Sequence, residues 1–227
     1  LAVTRGGWRS LINDPQVRLF LLLVTGLIIL LSWYLTDSGQ AFGNAFRQSS
    51  FNAVSIMTGT GYVSANYSAW GGFASTILLM VMFIGGCGGS TTCGIKVFRL
   101  QVLAATVRVQ INRLLRPHAV VLAYYNRRPV APEVMDSVMG FFYLYILGFV
   151  LIATLLGMVG LDFITALSGA ATSISNVGPG LGEVIGAEGN FSSLPDSAKW
   201  VMSFGMLLGR LEIFTVLVML NPGFWQR

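Results

Sequence analysis

Charge is the scarcest commodity in this chain: only 10% of its 227 residues are Asp, Glu, Lys or Arg. A soluble domain carries about 25%, so an ordinary water-exposed surface is excluded. What fills the space is apolar, with 54% hydrophobic residues and a mean hydropathy of +0.71, and the chain reads as a membrane protein. Histidine is nearly absent too. His118 stands alone, which rules out a histidine-based metal cluster. The two cysteines, Cys87 and Cys93, fall in one Gly-rich stretch and read as small packing residues rather than redox or metal ligands. No signal peptide is visible and the chain opens on Leu1, so a fragment or a processed piece is expected.

The net charge of +5 would suit nucleic acid only if the charge were spread differently. Arg5, Arg9 and Arg18 precede the first apolar run, and Lys96, Arg99, Arg108, Arg113, Arg116, Arg127 and Arg128 gather between the second and third. The opposite side keeps Arg47 and Lys199 beside Asp37, Asp162, Glu183, Glu188 and Asp196. This is the positive-inside pattern, with both termini and the central segment cytoplasmic and no nucleic-acid partner. Acidic outer loops would concentrate cations near the mouth. The central basic cluster suits either anionic lipid headgroups or a cytosolic partner.

The apolar runs predict a span over 19–35, a short dipping helix over 46–57 and a second descent from Trp70 to Ile84. A basic helix follows over 95–115, ended by Arg116-Pro117, then a short extended turn or hairpin over 120–128. A third span covers 134–159, a second dipping helix opens at Asp162 and runs to Ile174, and a last span covers 197–221. Each dipping helix is too brief to cross a bilayer and ends in a glycine-bearing turn. Irregular backbone survives at that depth only where protein buries it or a water-filled cavity adjoins it.

The first turn is Thr58-Gly59-Thr60-Gly61-Tyr62 and the second Ser175-Asn176-Val177-Gly178-Pro179-Gly180. Thr60-Gly61-Tyr62 reads like the core of a potassium filter, in which main-chain carbonyls replace an ion's water. K+ is then expected at the carbonyls of Gly59, Thr60, Asn176 and Val177, with Gly61 and Gly178 permitting the turn. The negative ends of both dipping helices would favour a cation below. The second turn has no tyrosine and carries Pro179, so selectivity is expected to be present but less stringent.

Between these turns lies Gly85-Gly86-Cys87-Gly88-Gly89-Ser90-Thr91-Thr92-Cys93-Gly94. Half of its ten residues are glycine, and each costs a helix about 1 kcal/mol against alanine. The stretch reads as an unwound intramembrane loop; the competing reading is a small-residue helix-packing seam. Shifting the sequence by 117 superimposes Thr58 on Ser175 and Gly61 on Gly178, and a later shift of 120 sets Arg210 opposite Ser90. Arg210 also falls near the middle of the last predicted span. An intramembrane arginine is a functional candidate by default: either a positive charge in the pore or against the Gly-rich loop, or half of a salt bridge, for instance to a counterpart of Glu212.

The combination of 55–62, 85–96, 175–180 and Gly209-Arg210 resembles the Trk/Ktr/HKT superfamily of potassium transporters, and within it the TrkH-type membrane subunit. The resemblance implies an all-α integral membrane fold in which two helix, pore helix, helix repeats form half of a four-repeat pore. It divides the chain into a third repeat (1–95), a cytoplasmic basic helix and connector (96–132) and a fourth repeat (133–227). It implies potassium uptake across the bacterial inner membrane, K+ as the transported ion, no cofactor and no enzyme activity. It further implies that Gly85, Gly86, Gly88, Gly89, Ser90, Thr91, Thr92 and Gly94 gate flux together with Arg210. The partners it implies are the missing N-terminal half with the first and second repeats, a second copy in a homodimer, a cytosolic nucleotide-binding regulatory subunit of the TrkA type, and membrane lipids. Two other functions stand beside it. A carrier for another solute would need charged or aromatic solute ligands near the dips, and a membrane enzyme would need a dyad that Cys87, Cys93 and Arg210 do not form.

Overall fold

The computed structural model describes residues 13–116, 121–126, 128–211 and 213–225. His118, Arg127 and Glu212 lie outside the described residues, as do Arg5 and Arg9.

Helix α1 (Pro15–Asp37) starts where Asp14 caps the amide of Gln16 at 2.8 Å and Pro15 supplies a pre-set backbone angle. It and α5 (Pro132–Met158) are long and apolar enough to cross a membrane. Both leave large apolar side chains uncovered, among them Leu22 and Ile29 on α1 and Tyr143 and Ile146 on α5. Helices α2 (Phe42–Met57) and α6 (Phe163–Ser175) are the dipping pair. At 16 and 13 residues they reach about 24 and 20 Å, short of a hydrocarbon core of about 30 Å. Asp162 caps α6 through the Thr165 amide at 3.2 Å, and hydrogen bonding from Thr165 holds its carboxyl below the usual range.

A 3-10 turn (Tyr67–Trp70) leads into α3 (Gly72–Met82), so the second descent begins slightly later than the sequence suggests. After the Gly-rich stretch comes α4 (Val97–Leu115), then the antiparallel pair β1 (Tyr124–Tyr125) and β2 (Arg128–Pro129) within the expected hairpin. Beyond α6 lie the short α7 (Gly182–Ile185), then α8 (Asp196–Arg210), α9 (Ile213–Leu220) and α10 (Pro222–Trp225).

The last predicted span is therefore corrected. It is not one helix over 197–221 but α8 followed by α9, turned by 104°. Between the start of α8 and Leu220 there is no proline, so the apolar pattern reads straight through the break. The turn comes directly after Arg210, whose side chain is held by the Gly-rich stretch. Arg210 thus ends a helix instead of sitting at the middle of a straight one, and it is exposed rather than buried.

Two apolar cores hold the helices. Leu31, Leu35, Ala53, Met57, Leu78 and Met82 build the first, and Ile152, Leu156, Ala170, Ile174, Ala198 and Met202 the second. Ala171, Val177 and Leu181 cross over into the first core, so the second turn is locked into the first unit. One end of the molecule gathers the start of α1, Gly88, Gln101 and Tyr125. The other gathers Tyr34, Phe73, Ser68 and Gly182.

Candidate functional site

Both dipping helices end by folding their last amides back on themselves. The amides of Thr60 and Gly61 return to the Ser55 carbonyl at 2.9 and 3.4 Å, and Val177 returns to Thr172 at 3.1 Å. Gly59 and Gly61 lie at φ 65° and 76°, and Asn176 takes the left-handed conformation at φ 53°. Asn tolerates this region better than other non-glycine residues, and its side chain adds a bond from Nδ2 to the Met206 carbonyl at 2.9 Å.

Side chains of α2 and α6 then clamp each turn from behind. Ser55 Oγ donates to the Tyr62 carbonyl at 2.6 Å, and Asn52 exchanges bonds with Ser64 at 3.1 and 3.2 Å. Thr172 Oγ1 accepts from the Gly178 amide and donates to its carbonyl, both at 2.9 Å. Ser168 Oγ accepts from the Leu181 amide at 3.0 Å. Tyr145 reaches from α5 to Ser175 at 2.7 Å, and Tyr67 donates to the Gly180 carbonyl at 3.1 Å. Of these, Tyr145 and Tyr67 carry no signal in the sequence, since each acts across elements far apart in the chain.

The consequence concerns carbonyls. Those of Tyr62 and Gly178 are taken by hydroxyls. Among the described residues, the carbonyls of Gly59, Thr60, Asn176 and Val177 accept no hydrogen bond. The two turns also touch: a Cβ on Gly61 would lie 2.3 Å from the Val177 oxygen, and one on Gly59 would lie 3.6 Å from the Asn176 oxygen. Ser175 and Val177 are buried, Gly61 and Asn176 are half-buried, and Thr60 is exposed. Thr58 and Thr60 share a hydroxyl bond at 2.6 Å on the exposed side.

The Gly-rich stretch is unwound, as its glycine content predicts. Its two ends lie side by side in a parallel bridge between Ile84 and Ile95. The bridge is made by Gly85 N to the Ile95 carbonyl at 2.9 Å and Ile95 N to the Phe83 carbonyl at 2.8 Å. Such an approach requires glycine: a Cβ on Gly85 would stand 2.2 Å from the Cys93 oxygen. At its tip Ser90 closes a turn on the Cys87 carbonyl, and Gly89 lies at φ 83°. Cys87 and Cys93 are free thiols, the latter buried.

The loop lies between the first turn and Arg210. The Thr92 methyl stands 3.6 Å from where a Gly59 Cβ would be. Arg210 Nη1 donates to the Thr91 carbonyl at 2.8 Å and approaches Cys93 Sγ at 3.7 Å. Arg210 therefore meets the loop directly, while Glu212 lies outside the described residues. A cavity of about 190 Å³ is lined by Thr91, Thr92, Lys96, Arg99, Tyr145 and Arg210 among others, and Arg99 stacks on Phe141 at 3.7 Å. At the end opposite the start of α1, Asn66, Ser68, Glu183 and Glu188 line a polar cavity of about 410 Å³. No group of three or more His, Cys, Asp or Glu suited to a metal occurs among the described residues.

Comparison with known proteins gives one consistent result. The sequence model of a family described as "TrkH: Cation transport protein" matches residues 6–226. The Trk system potassium uptake protein TrkI of Halomonas elongata is 46% identical over 224 residues, 98% of this chain and 45% of that protein. The TrkH protein of Vibrio parahaemolyticus is 38% identical over 217 residues, 94% of this chain and 44% of that protein. The crystal structure of the potassium transporter TrkH from Vibrio parahaemolyticus aligns with a TM-score of 0.90 at 37% identity, covering 99% of this chain and 48% of that one. The chain spans about half the length of the curated relatives it matches.

Proposed function

The chain belongs to the TrkH family of cation transport proteins, and from that premise we propose that it supplies half of a potassium uptake pathway. The carbonyls of Gly59, Thr60, Asn176 and Val177 are the K+ ligands contributed by this half. The observation that carries the reading is the division of labour at the two turns. Pore-helix hydroxyls take the carbonyls of Tyr62 and Gly178, while the four proposed ligands carry no internal bond among the described residues. An oxygen without an internal partner must find one in water or in a cation.

A cation entering past Glu183 and Glu188 exchanges water for these oxygens and then meets the negative ends of α2 and α6. Below them, Gly85–Gly94 and Arg210 form the gate. Thr91 and Thr92 occupy the path, and the guanidinium adds a positive charge that opposes a passing cation. The chain divides into repeat units at 1–95 and 133–227, joined by the basic segment 96–132. The remaining partners in this reading are a half carrying the first two repeats, a second copy, and a cytosolic regulator of the TrkA type at the basic segment. The membrane is the bacterial inner membrane with that segment cytoplasmic, a sidedness read from its gathered basic residues; Tyr125 lies on the same side as the start of α1.

The test is rubidium and sodium uptake by the full-length transporter in a strain lacking its own potassium uptake. Gly61→Ala forces a Cβ against the Val177 carbonyl and is expected to lower the potassium-over-sodium preference at least tenfold. Arg210→Ala is expected to raise uptake severalfold. An unchanged preference in Gly61→Ala refutes the filter. Lower uptake by Arg210→Ala at normal protein level refutes the barrier.

A further inference from the structure

One side chain joins the Gly-rich loop to the cytoplasmic hairpin, and it lies at the start of α1, remote from both in sequence. Gln16 Oε1 accepts the Gly88 amide at 2.7 Å. A Cβ on Gly88 would stand 3.1 Å from that oxygen and 3.6 Å from the Phe98 ring, so the contact uses the space that glycine leaves. The backbone beneath Gln16 is pinned twice. Asp14 caps the Gln16 amide at 2.8 Å, and Gln101 Nε2 donates to the Pro15 carbonyl at 2.7 Å, tying α1 to α4. On the other side, Tyr125 of β1 lies beside Asp14 and the Gln16 side chain. Burial first, and then the Asp14 charge, push that phenol above its ordinary range.

We propose that Gln16 is a positioning residue for the gate: its side-chain carbonyl holds the Gly-rich loop closed at Gly88, and the hairpin 124–129 beside it pulls or releases that hold. The inference rests on the reading of the loop as the gate. It assigns the regulator's point of action, because a partner seated on the hairpin moves Tyr125, and Tyr125 lies beside the side chain that holds the loop. The bond acts only in the closed state, so its loss shifts a two-state balance toward opening.

The experiment uses the full-length transporter with its regulator, and two readouts. The first is rubidium uptake. The second is the rate at which a thiol reagent labels Cys87, next to Gly88, followed by mass spectrometry. Gln16→Leu removes the bond to Gly88 at similar volume and is expected to raise uptake and Cys87 labelling about three- to tenfold, the effect of one hydrogen bond. The potassium-over-sodium ratio should be unmoved, which a general loss of structure would not allow. Gln16→Glu keeps the acceptor for Gly88 and should restore slow labelling while removing the response to the regulator. Tyr125→Phe should also blunt that response, and should add nothing to Gln16→Leu.

Unchanged labelling in Gln16→Leu overturns the proposal whatever uptake does. Faster labelling without a rise in uptake keeps the anchor but refutes the gate on which it rests. If Gln16→Leu fails to reach the membrane, the Gln16→Glu and Tyr125→Phe pair decides: a full response to the regulator in both overturns the coupling.

Discussion

Gly209 and Gly157 each sit in the last turn of a helix, yet their surroundings differ. A Cβ on Gly209 would lie 1.9 Å from the Ile174 carbonyl and 2.9 Å from Asn176 Nδ2, whereas one on Gly157 would meet nothing within 4 Å. Gly209 is thus the space through which α8 approaches the end of α6 and fixes the left-handed Asn176. Gly209→Ala is expected to destabilise the folded protein by about 1–3 kcal/mol, the usual cost of overpacking. Gly157→Ala should be neutral or stabilising by up to about 1 kcal/mol, from helix propensity. Thermal unfolding of the purified transporter in detergent checks both, and equal effects would remove the packing argument. At this scale the sequence is a partial guide. Gly-Arg at 209–210 is visible, but the carbonyl that Gly209 must admit comes from a helix more than thirty residues earlier. Gln16 is wholly silent, because its acceptor role is created by folding.

The dipping helices show what element-level reading can and cannot recover. Their brevity, the Asp162 cap and the glycine-bearing turns are all written locally, and the structure places α2 and α6 close to the expected bounds. The unwound 85–94 stretch is equally legible, since glycine at that density cannot hold a helix. The break after Arg210 is not, because no local feature marks it and what accompanies it is the contact of Arg210 with the Gly-rich loop, far away in sequence. Nor is the way α6 grips its turn. Thr172 bonds the Gly178 amide and carbonyl alike, and a hydroxyl on a buried helix face looks in sequence like any small residue. Thr172→Val keeps the shape and removes both bonds. The Gly178 amide is then left without its partner, at a cost of about 1–3 kcal/mol. The Gly178 carbonyl becomes free to turn, so the potassium-over-sodium preference should fall while the protein still reaches the membrane. Preserved selectivity in Thr172→Val would mean that the turn's other contacts, among them Gly61 and the Val177 amide bond to the Thr172 carbonyl, hold it without the hydroxyl.

At the scale of the whole molecule, the face that would look onto the pore is unfinished. Phe46, Arg47, Phe51, Val54, Thr60 and Tyr62 line a groove of about 650 Å³, and Tyr62 is 72% exposed. A glycine-bearing turn with open carbonyls beside uncovered aromatic rings is a poor end to a structure, whether water or lipid is its neighbour. Two turns also contribute too few oxygens to surround an ion. Both deficits point to the same complement, a half that brings further turns and covers the groove. Produced alone, residues 1–227 should give no potassium uptake above background; produced together with a segment carrying the first and second repeats, they should restore it. Phe51→Asp would place a charge in the groove, where an unpaired charge is costly to bury. That variant should abolish both the restored uptake and co-purification of two differently tagged halves. Uptake by 1–227 alone at the restored level, in a chain shown to be monomeric, would mean that this half already encloses the ion, and the division of the pore between two halves would have to be abandoned.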